Sequence, residues 1–235
     1  MTCAFDTAAF STKHIIWRIN QQLERIILGG VSKVEHWKGV RVLHPLLAGR
    51  RPKRRITRAS KICWAVPRPN CMKVNTDGAY SATRYIAGGG GVIRDADGRL
   101  IFTFSDSFAA LSSLEAEFKA FEQGIIAAVR FGNNIWMETD ATSIVRIITS
   151  EEQVPAEIRH SIRRIKHLCK GLNIMVSYIA REGNKPADFL AERGLEEQGR
   201  SNFDHITAPA RLKVMVEMEA NRVPNFRFQS RWSEE

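Results

Sequence analysis

The apolar residues between positions 72 and 197 switch repeatedly between a two-residue and a 3.6-residue period, and this switching constrains the fold more than any other feature of the chain. Residues 73–79, 88–93 and 100–104 have the lengths and apolar content of strands. The dipeptide Asp97-Gly98 lies between the second and third of them and is a strong signal for a hairpin turn. The pattern therefore predicts three consecutive antiparallel strands.

Helical and strand periods then alternate up to residue 197. Helices are predicted over 113–131, with Ser113 as the cap, and over 141–149, 156–170 and 184–197, and strands over 134–139 and 172–180. The resulting order is β-β-β-α-β-α-α-β-α. It predicts an α/β fold with a five-stranded mixed sheet, its first three strands antiparallel, flanked by helices.

The positive charge of the chain is concentrated near its N-terminus. The 235 residues carry a formal net charge of +10; residues 1–65 hold 13 Lys and Arg against 3 Asp and Glu, and residues 66–235 hold 22 of each. We therefore divide the chain into a basic segment at 1–65, a domain at 70–205 and a tail at 206–235. The basic segment is predicted to contain an amphipathic helix over 12–30 and a flexible linker, and the tail a weak helix over about 208–220.

Several classes of protein are disfavoured by what the sequence lacks. It has no apolar run long enough to cross a membrane, no secretory signal layout and no glycine-rich phosphate loop. Its four cysteines have neither CxxC pairing nor histidines at ligand spacing, which disfavours a zinc site and a disulfide framework. We expect a monomer without membrane partners, in a reducing intracellular compartment.

A dense basic run within the N-terminal segment has three interpretations. Its six cations in nine residues are Arg50, Arg51, Lys53, Arg54, Arg55 and Arg58. They can bind nucleic acid through its phosphates, in which case affinity falls steeply with salt. They can also serve as a nuclear localisation signal, or form a solvated linker that does neither.

Four acidic residues occupy matching places in the predicted elements. Asp77 and Asp140 end two strands, and Glu117 and Asp188 lie near the starts of two helices. One aspartate after a strand is usually a turn or cap residue. Four such acids can converge at one edge of the sheet, which is where open α/β sheets usually carry their sites.

A cluster of carboxylates is costly unless cations occupy it, because like charges raise one another's pKa values. Mg²⁺ prefers oxygen ligands and leaves positions for water and phosphate. Two such ions can activate a water and stabilise the departing 3′ oxygen of a phosphodiester. The four acids therefore predict a metal-dependent phosphodiester hydrolase that needs no serine or cysteine nucleophile.

The stretch from about Met72 to Glu197 resembles the ribonuclease H superfamily, and most of all the plant ribonuclease H-like domain of non-LTR retroelement reverse transcriptases. The similarity is carried by Val74-Asn-Thr-Asp-Gly-Ala79, Gly90-Gly-Val-Ile-Arg-Asp95, Glu115-Ala-Glu-Phe-Lys-Ala120, Glu138-Thr-Asp140 and Arg181-Glu-Gly-Asn-Lys-Pro-Ala-Asp-Phe-Leu-Ala191. The resemblance implies hydrolysis of the RNA strand of an RNA–DNA hybrid with Mg²⁺, or with Mn²⁺.

Site residues follow from the same resemblance. The catalytic and metal-binding positions of the family correspond to Asp77, Glu117, Asp140 and Asp188. Glu117 is preferred to Glu115 because the Glu-x-x-Ala pattern is completed by an alanine three residues after it. Glu115 is predicted to be a solvated carboxylate favoured by the helix dipole.

Nucleic-acid contacts are expected from two further residues, Gly78 and Asn184, and from the basic cluster Arg50, Arg51, Lys53, Arg54 and Arg55. The expected partner is an RNA–DNA hybrid, with duplex RNA as a second candidate, recognised by backbone geometry and 2′-hydroxyls. Glycines at 78 and 88–91 would let the chain approach phosphates closely, while a bulged or twisted strand explains the glycine run equally well.

One departure from the family keeps other functions open. Many active members carry a histidine near the loop before the last helix, where this chain has Tyr178 and no histidine. A binding module that grips nucleic acid without efficient cleavage, or a retroelement remnant, is therefore an alternative. A related 3′–5′ exonuclease is a weak one, since it would have Asp-x-Glu where this chain has Asp77-Gly-Ala79.

Overall fold

The structure, a computed structural model, describes residues 12–31, 36, 55–149 and 154–232. The described strands are β1 (Arg55–Ile62), β2 (Met72–Ser81), β3 (Ile86–Arg94), β4 (Leu100–Ala109), β5 (Asn134–Thr139), β6 (Asn173–Tyr178), β7 (Ser201–Phe203) and β8 (Asn225–Trp232). The helices are α1 (Thr12–Leu28), α2 (Ser113–Ala128), α3 (Thr142–Thr149), α4 (Arg159–Leu168), α5 (Lys185–Glu197) and α6 (Ala210–Ala220).

A six-stranded mixed sheet in the order β6-β5-β2-β3-β4-β7 forms the centre of the fold. β2, β3 and β4 pair antiparallel, as predicted, and β5 and β6 are added in parallel to β2. The α/β fold class is confirmed, and the strand count is six instead of five. The additional strand, β7, has three residues and is too short to give an alternating pattern.

Helices cover both faces of this sheet. On one face α2, α3 and α4 enclose an apolar core around Phe118, Phe121 and Met137. On the other face α5 and α6 pack over Val92, with Leu190 and Leu212 buried between them. The weak helix predicted in the tail is thus α6, and its inner side is part of the core.

The glycine run of β3 has a packing role that neither sequence interpretation anticipated. β3 pairs with β2 in continuous register from Ile86 to Arg94, so its glycines form no bulge against that strand. A Cβ atom at Gly88 or Gly90 would clash with the backbone of α5 near Ala191. The run therefore lets α5 lie directly on the sheet.

By compactness the chain divides into two units. One comprises Ala59–Phe228 and carries the main sheet, and the other comprises the described parts of Met1–Arg58 and Gln229–Glu235. Residues 55–62 were expected in a flexible linker but form β1, which pairs with β8. Local patterns gave no sign of this strand because its partner lies about 170 residues away. No helix in the described ranges is long and apolar enough to cross a membrane.

Candidate metal centre

Asp77 and Asp140 are brought side by side by the parallel pairing of β2 with β5. Thr76 lies opposite Thr139 in this register, and each aspartate is the next residue in its chain. The Asp77 side chain is buried, at 8% exposure, and Asp140 is half-buried. The expected convergence of the two carboxylates therefore follows directly from the strand register. Only Asp140 follows the end of its strand, however, because β2 continues past Asp77 to Ser81 through its pairing with β3.

Glu117 reaches the same point from α2. A Cβ atom on Gly78 would clash with the α2 backbone at Ala116 and Glu117, so the missing side chain is what lets the helix pass this close to β2. The Gly78 amide also lies close enough to the Glu117 carboxylate to oppose the rise in its pKa. Gly78 thus positions Glu117, and its expected contact with nucleic acid stays a prediction.

The N-terminus of α2 is held by a reciprocal cap. The Ser112 hydroxyl accepts the Glu115 amide at 3.1 Å, and the Glu115 carboxylate accepts the Leu111 amide at 2.8 Å. The cap is therefore Ser112, and the prediction of Ser113 was wrong by one residue. Glu115 also pairs with Lys119 at 2.7 Å and is not one of the clustered acids, but its side chain is only 15% exposed and is therefore less solvated than predicted.

Asp77, Glu117 and Asp140 form a compact carboxylate cluster in which one ligand atom from each lies within 4.8 Å of the others. Burial, reinforced by the charges of Asp140 and Asp188, raises the pKa of Asp77 to about 8. Burial and the charges of Asp77 and Asp140 likewise raise the pKa of Glu117 to about 9, although the Gly78 amide and Arg181 oppose the shift. The site therefore retains protons near neutral pH until a cation replaces them.

Asp188 stands beside this cluster and is paired differently. Its carboxylate accepts a hydrogen bond from Arg181 at 2.9 Å, and it is not one of the three acids grouped above. It is nevertheless close enough for its charge to raise the pKa of Asp77. The structure thus brings together three of the four predicted metal ligands and places the fourth in an ion pair at the edge.

Asn184 is buried at 0% exposure and contacts other residues of the site, while its expected contact with nucleic acid stays a prediction. Its side-chain amide donates to the Thr76 carbonyl and to Asp140 Oδ1, each at 3.0 Å. It occupies the residue before α5, where its own carbonyl accepts the Asp188 amide at 3.1 Å. Asn184 therefore ties β2, β5 and α5 together directly behind Asp140.

The other predicted nucleic-acid contacts are the residues of the basic cluster. Arg50, Arg51, Lys53 and Arg54 lie outside the described residues, and only the backbone of Arg55 is described, at the start of β1.

Tyr178, which stands in place of a histidine, is 44% exposed and accepts a hydrogen bond from Arg227 at 3.4 Å.

Two polar residues at the site were not anticipated. Arg181 is the cation whose charge acts on both Glu117 and Asp77, and Asn75 is a buried neighbour of Asn184 on β2. A polar residue at an inward position of a buried strand was the available signal for Asn75. For Arg181 the sequence offered only its place seven residues before Asp188, which gives no sign of direct pairing.

Two observations indicate that the carboxylate cluster suits a divalent cation. Its donors are all oxygen atoms, which suit Mg²⁺, Mn²⁺ or Ca²⁺ better than softer metals. Glu117 Oε2 is buried and has no hydrogen-bond partner, although such an atom normally has one. Asp77, Glu117 and Asp140 are therefore the residues that could hold the ion.

The sheet order, and the two carboxylates placed where the parallel pairing of β2 with β5 ends, define a ribonuclease H-like protein. A family model described as "Reverse transcriptase-like" matches residues 75–194, just over half of the chain. The chain belongs to this family and, with it, to the ribonuclease H superfamily.

Individual relatives agree with this assignment. An Arabidopsis thaliana protein named "Putative ribonuclease H protein" is 29% identical over 136 residues, which are 55% of this chain and 21% of that protein. The chain thus spans about a fifth of that relative's length. RNase H1 of Halobacterium salinarum has a similar fold, with a TM-score of 0.51 at 23% identity over 54% of this chain and 98% of the other. LC11-RNase H1 in complex with an RNA/DNA hybrid gives 0.50 at 21% identity, over 54% and 98%.

Proposed function

We propose that this protein is a metal-dependent endoribonuclease that hydrolyses the RNA strand of RNA–DNA hybrids. The observation that carries the proposal is the cluster of buried Asp77 with half-buried Glu117 and Asp140, in which the ligand atoms lie within 4.8 Å of one another and one carboxylate oxygen has no hydrogen-bond partner. A cluster of this kind destabilises the fold unless it serves a cation, because burial and mutual repulsion both disfavour its charged form.

The cluster and its neighbours would share the work of binding and orientation. Asp77, Glu117 and Asp140 would hold Mg²⁺ or Mn²⁺, which supplies an activated water and neutralises the phosphate charge when bound. Asn184 holds one oxygen of Asp140 in place through its side-chain amide. Arg181, largely exposed beside the cluster, is placed to attract a phosphate of the substrate while it restrains Asp188.

A hybrid is the substrate class that we favour. The support is the superfamily membership and the likeness to the fold of LC11-RNase H1, whose structure was determined with an RNA/DNA hybrid. Recognition would depend on backbone shape and 2′-hydroxyl groups, so we expect weak sequence preference.

A nucleic-acid-binding module with little catalytic activity is the second candidate. It is favoured by Tyr178, which occupies the position expected for a histidine and is engaged by Arg227. It is also favoured by the Arg181–Asp188 pair, which leaves Asp188 outside the cluster.

Cleavage of a labelled RNA–DNA hybrid, with Mg²⁺ and then with Mn²⁺, separates these two functions. We compare the wild type with Asp77→Asn, and use Asp97→Asn as the matched control because Asp97 is exposed on the β3–β4 turn. Metal-dependent cleavage of the RNA strand that is lost only in Asp77→Asn establishes the enzyme. Hybrid binding without cleavage by the wild type contradicts the proposal and favours the binding module.

For the basic run Arg50–Arg58 we propose nuclear targeting, on composition alone. A fluorescent fusion should enter the nucleus, and replacement of the five arginines and Lys53 by glutamine should abolish its accumulation there. Unchanged localisation would exclude this function of the run.

A further inference from the structure

A buried polar network lies behind the carboxylate cluster, on the face of the sheet that α5 and α6 cover. Its centre is the Asn75 side chain, whose Oδ1 accepts hydrogen bonds from Trp64 Nε1 at 2.8 Å and from Arg94 Nη2 at 2.7 Å. Arg94 is also paired with Glu219 at 2.7 Å and stacks on the Trp64 ring, 3.6 Å from its centroid. These four side chains are buried, and so is that of the nearby Lys73.

The chemistry of the donors fixes the orientation of two amides in succession. An indole N–H and a guanidinium can only donate, so the side of Asn75 that faces them must be its oxygen. Asn75 Nδ2 then points at Glu138 Oε2, at 2.9 Å, and at Asn184 Oδ1, at 3.3 Å. With its oxygen engaged in this way, Asn184 presents its own Nδ2 to Asp140.

A donor facing Asp140 stabilises the charged carboxylate and leaves its second oxygen free for the cluster. If the amide of Asn184 were reversed, an oxygen would face the carboxylate and repel it. The donor-to-acceptor direction of this series of hydrogen bonds therefore affects Asp140, although Trp64 and Arg94 do not contact Asp140.

We propose that Asn75 is a positioning residue for the metal centre, and that Trp64 and the Arg94–Glu219 pair fix the orientation of the Asn75 side-chain amide. Trp64 and Glu219 lie outside residues 75–194, the part that matches the family, and Glu219 is contributed by α6. The segments on both sides of the family-matched region are thus part of the unit that holds Asp140. This inference rests on the proposed metal-dependent function.

The orientation of the amides can be read without any activity. In ¹⁵N-labelled metal-free protein, Trp64→Phe removes one donor to Asn75 but retains an aromatic ring under Arg94. We expect the side-chain NH₂ signals of Asn75 and Asn184 to move. Trp136→Phe is the matched control, because its indole donates to Ser177 at 2.6 Å and not to Asn75, and it should leave the Asn184 signal in place.

The consequence for the metal centre is measured by Mn²⁺ binding, followed by electron paramagnetic resonance. Asn75→Asp replaces the NH₂ that faces Glu138 and Asn184 by an acceptor, which repels the Asn184 oxygen. The Thr76 carbonyl still accepts from the Asn184 NH₂, so the displaced amide keeps one of its two bonds while the one to Asp140 is weakened. We expect Mn²⁺ affinity to fall by about 10- to 100-fold, as when outer-shell partners of a metal ligand are lost. Asn173→Asp makes the same change at an exposed site at the opposite end of the parallel strands and should leave the affinity unchanged.

The outcomes separate this inference from the proposed function. Wild-type Mn²⁺ affinity in Asn75→Asp, or an unmoved Asn184 signal in Trp64→Phe, overturns the positioning role. If the wild type binds no Mn²⁺ and cleaves no hybrid, the proposed function fails, and the inference fails with it whatever the amide signals show. If Asn75→Asp does not fold, Mn²⁺ binding by Trp64→Phe decides, with a loss of about 10-fold expected.

Discussion

The guanidinium of Arg181 lies 2.9 Å from the carboxylate of Asp188, so the acid expected to complete the metal centre is held by a cation of its own chain. Arg181 precedes α5 and Asp188 lies in its first turn, which makes the pair local. Its side chains are exposed enough for water to screen the interaction, so the pair contributes little to stability. The Arg181–Asp188 pair therefore matters mainly because Arg181 offsets part of the negative charge of the acidic cluster.

Because of this pairing, Asp188→Asn should be much less harmful than Asp140→Asn. We expect Asp140→Asn to reduce metal-dependent hybrid cleavage by about 1000-fold or more, since it removes a member of the three-acid cluster. Asp188→Asn should reduce it by only about 10-fold, as an outer-shell change. Initial rates at saturating Mg²⁺ test this, and equal losses would show that Asp188 leaves Arg181 to become a metal ligand.

The raised pKa values of the cluster predict a dependence of stability on pH. The pKa of Asp77 is raised from 3.8 to about 8, so between these values the folded metal-free protein binds a proton that the unfolded chain does not. Stability must then fall as pH rises through this window. Asp77→Asn removes the free-energy cost of ionising this buried carboxyl. Each pKa unit is worth about 1.4 kcal/mol, but Asp77 and Glu117 are coupled, so only part of the shift belongs to Asp77. We therefore expect Asp77→Asn to raise the free energy of unfolding by about 2 kcal/mol at pH 8.

Urea unfolding in a chelator, at pH 8 and again near pH 4, measures that difference. The gain from Asp77→Asn should shrink towards zero at the lower pH, because the folded wild type is protonated at this position and the unfolded chain, with its ordinary pKa of 3.8, is partly protonated as well. Asp97→Asn serves as the control and should show no gain at either pH. A destabilised Asp77→Asn at pH 8 would mean that the buried carboxylate is already compensated.

The order of the elements and the convergence of Asp77 and Asp140 could be predicted from sequence because both depend on local signals. Apolar periods identify strands and helices, and the ends of parallel strands meet at one edge. β1 and β7 escaped prediction for a different reason. Each is defined by a partner distant in sequence, β8 and β4 respectively, and by no pattern of its own.

Roles that depend on side-chain direction were harder to foresee. Asn184 was identified through a motif but was given a surface role, because nothing in the sequence shows that α5 begins beneath β2 and β5. From its place before the Asp97-Gly98 turn, Arg94 would be expected to be a solvent-exposed polar residue at the end of a strand. Only the position of α6, which brings Glu219 to it across 125 residues, makes it a buried ion.

The close approach of α5 to β3 predicts a strong effect of a single methyl group. Gly90→Ala would place a Cβ atom against the backbone of Ala187 and Ala191, which cannot move without displacing the whole helix. We expect a loss of about 1–3 kcal/mol in the free energy of unfolding, typical of overpacking. Gly199→Ala is the control, since its Cβ would make only an ordinary contact, 3.7 Å from the Glu197 carbonyl oxygen, at an ordinary backbone angle. Urea unfolding compares the two, and equal stabilities would show that the interface can relax.

The Arg94–Glu219 pair predicts that α6 is required for a stable fold. Both side chains are buried, and Glu219→Gln would leave the Arg94 charge without its counter-ion. Removal of one partner of such a pair costs about 3–5 kcal/mol, whereas an exposed change on the same helix, Glu217→Gln, should cost less than about 0.5 kcal/mol. Chemical unfolding at neutral pH measures both variants. If Glu219→Gln is as stable as the control, the Arg94 charge must be compensated by its other neighbours, and α6 would then support the fold through its apolar side alone.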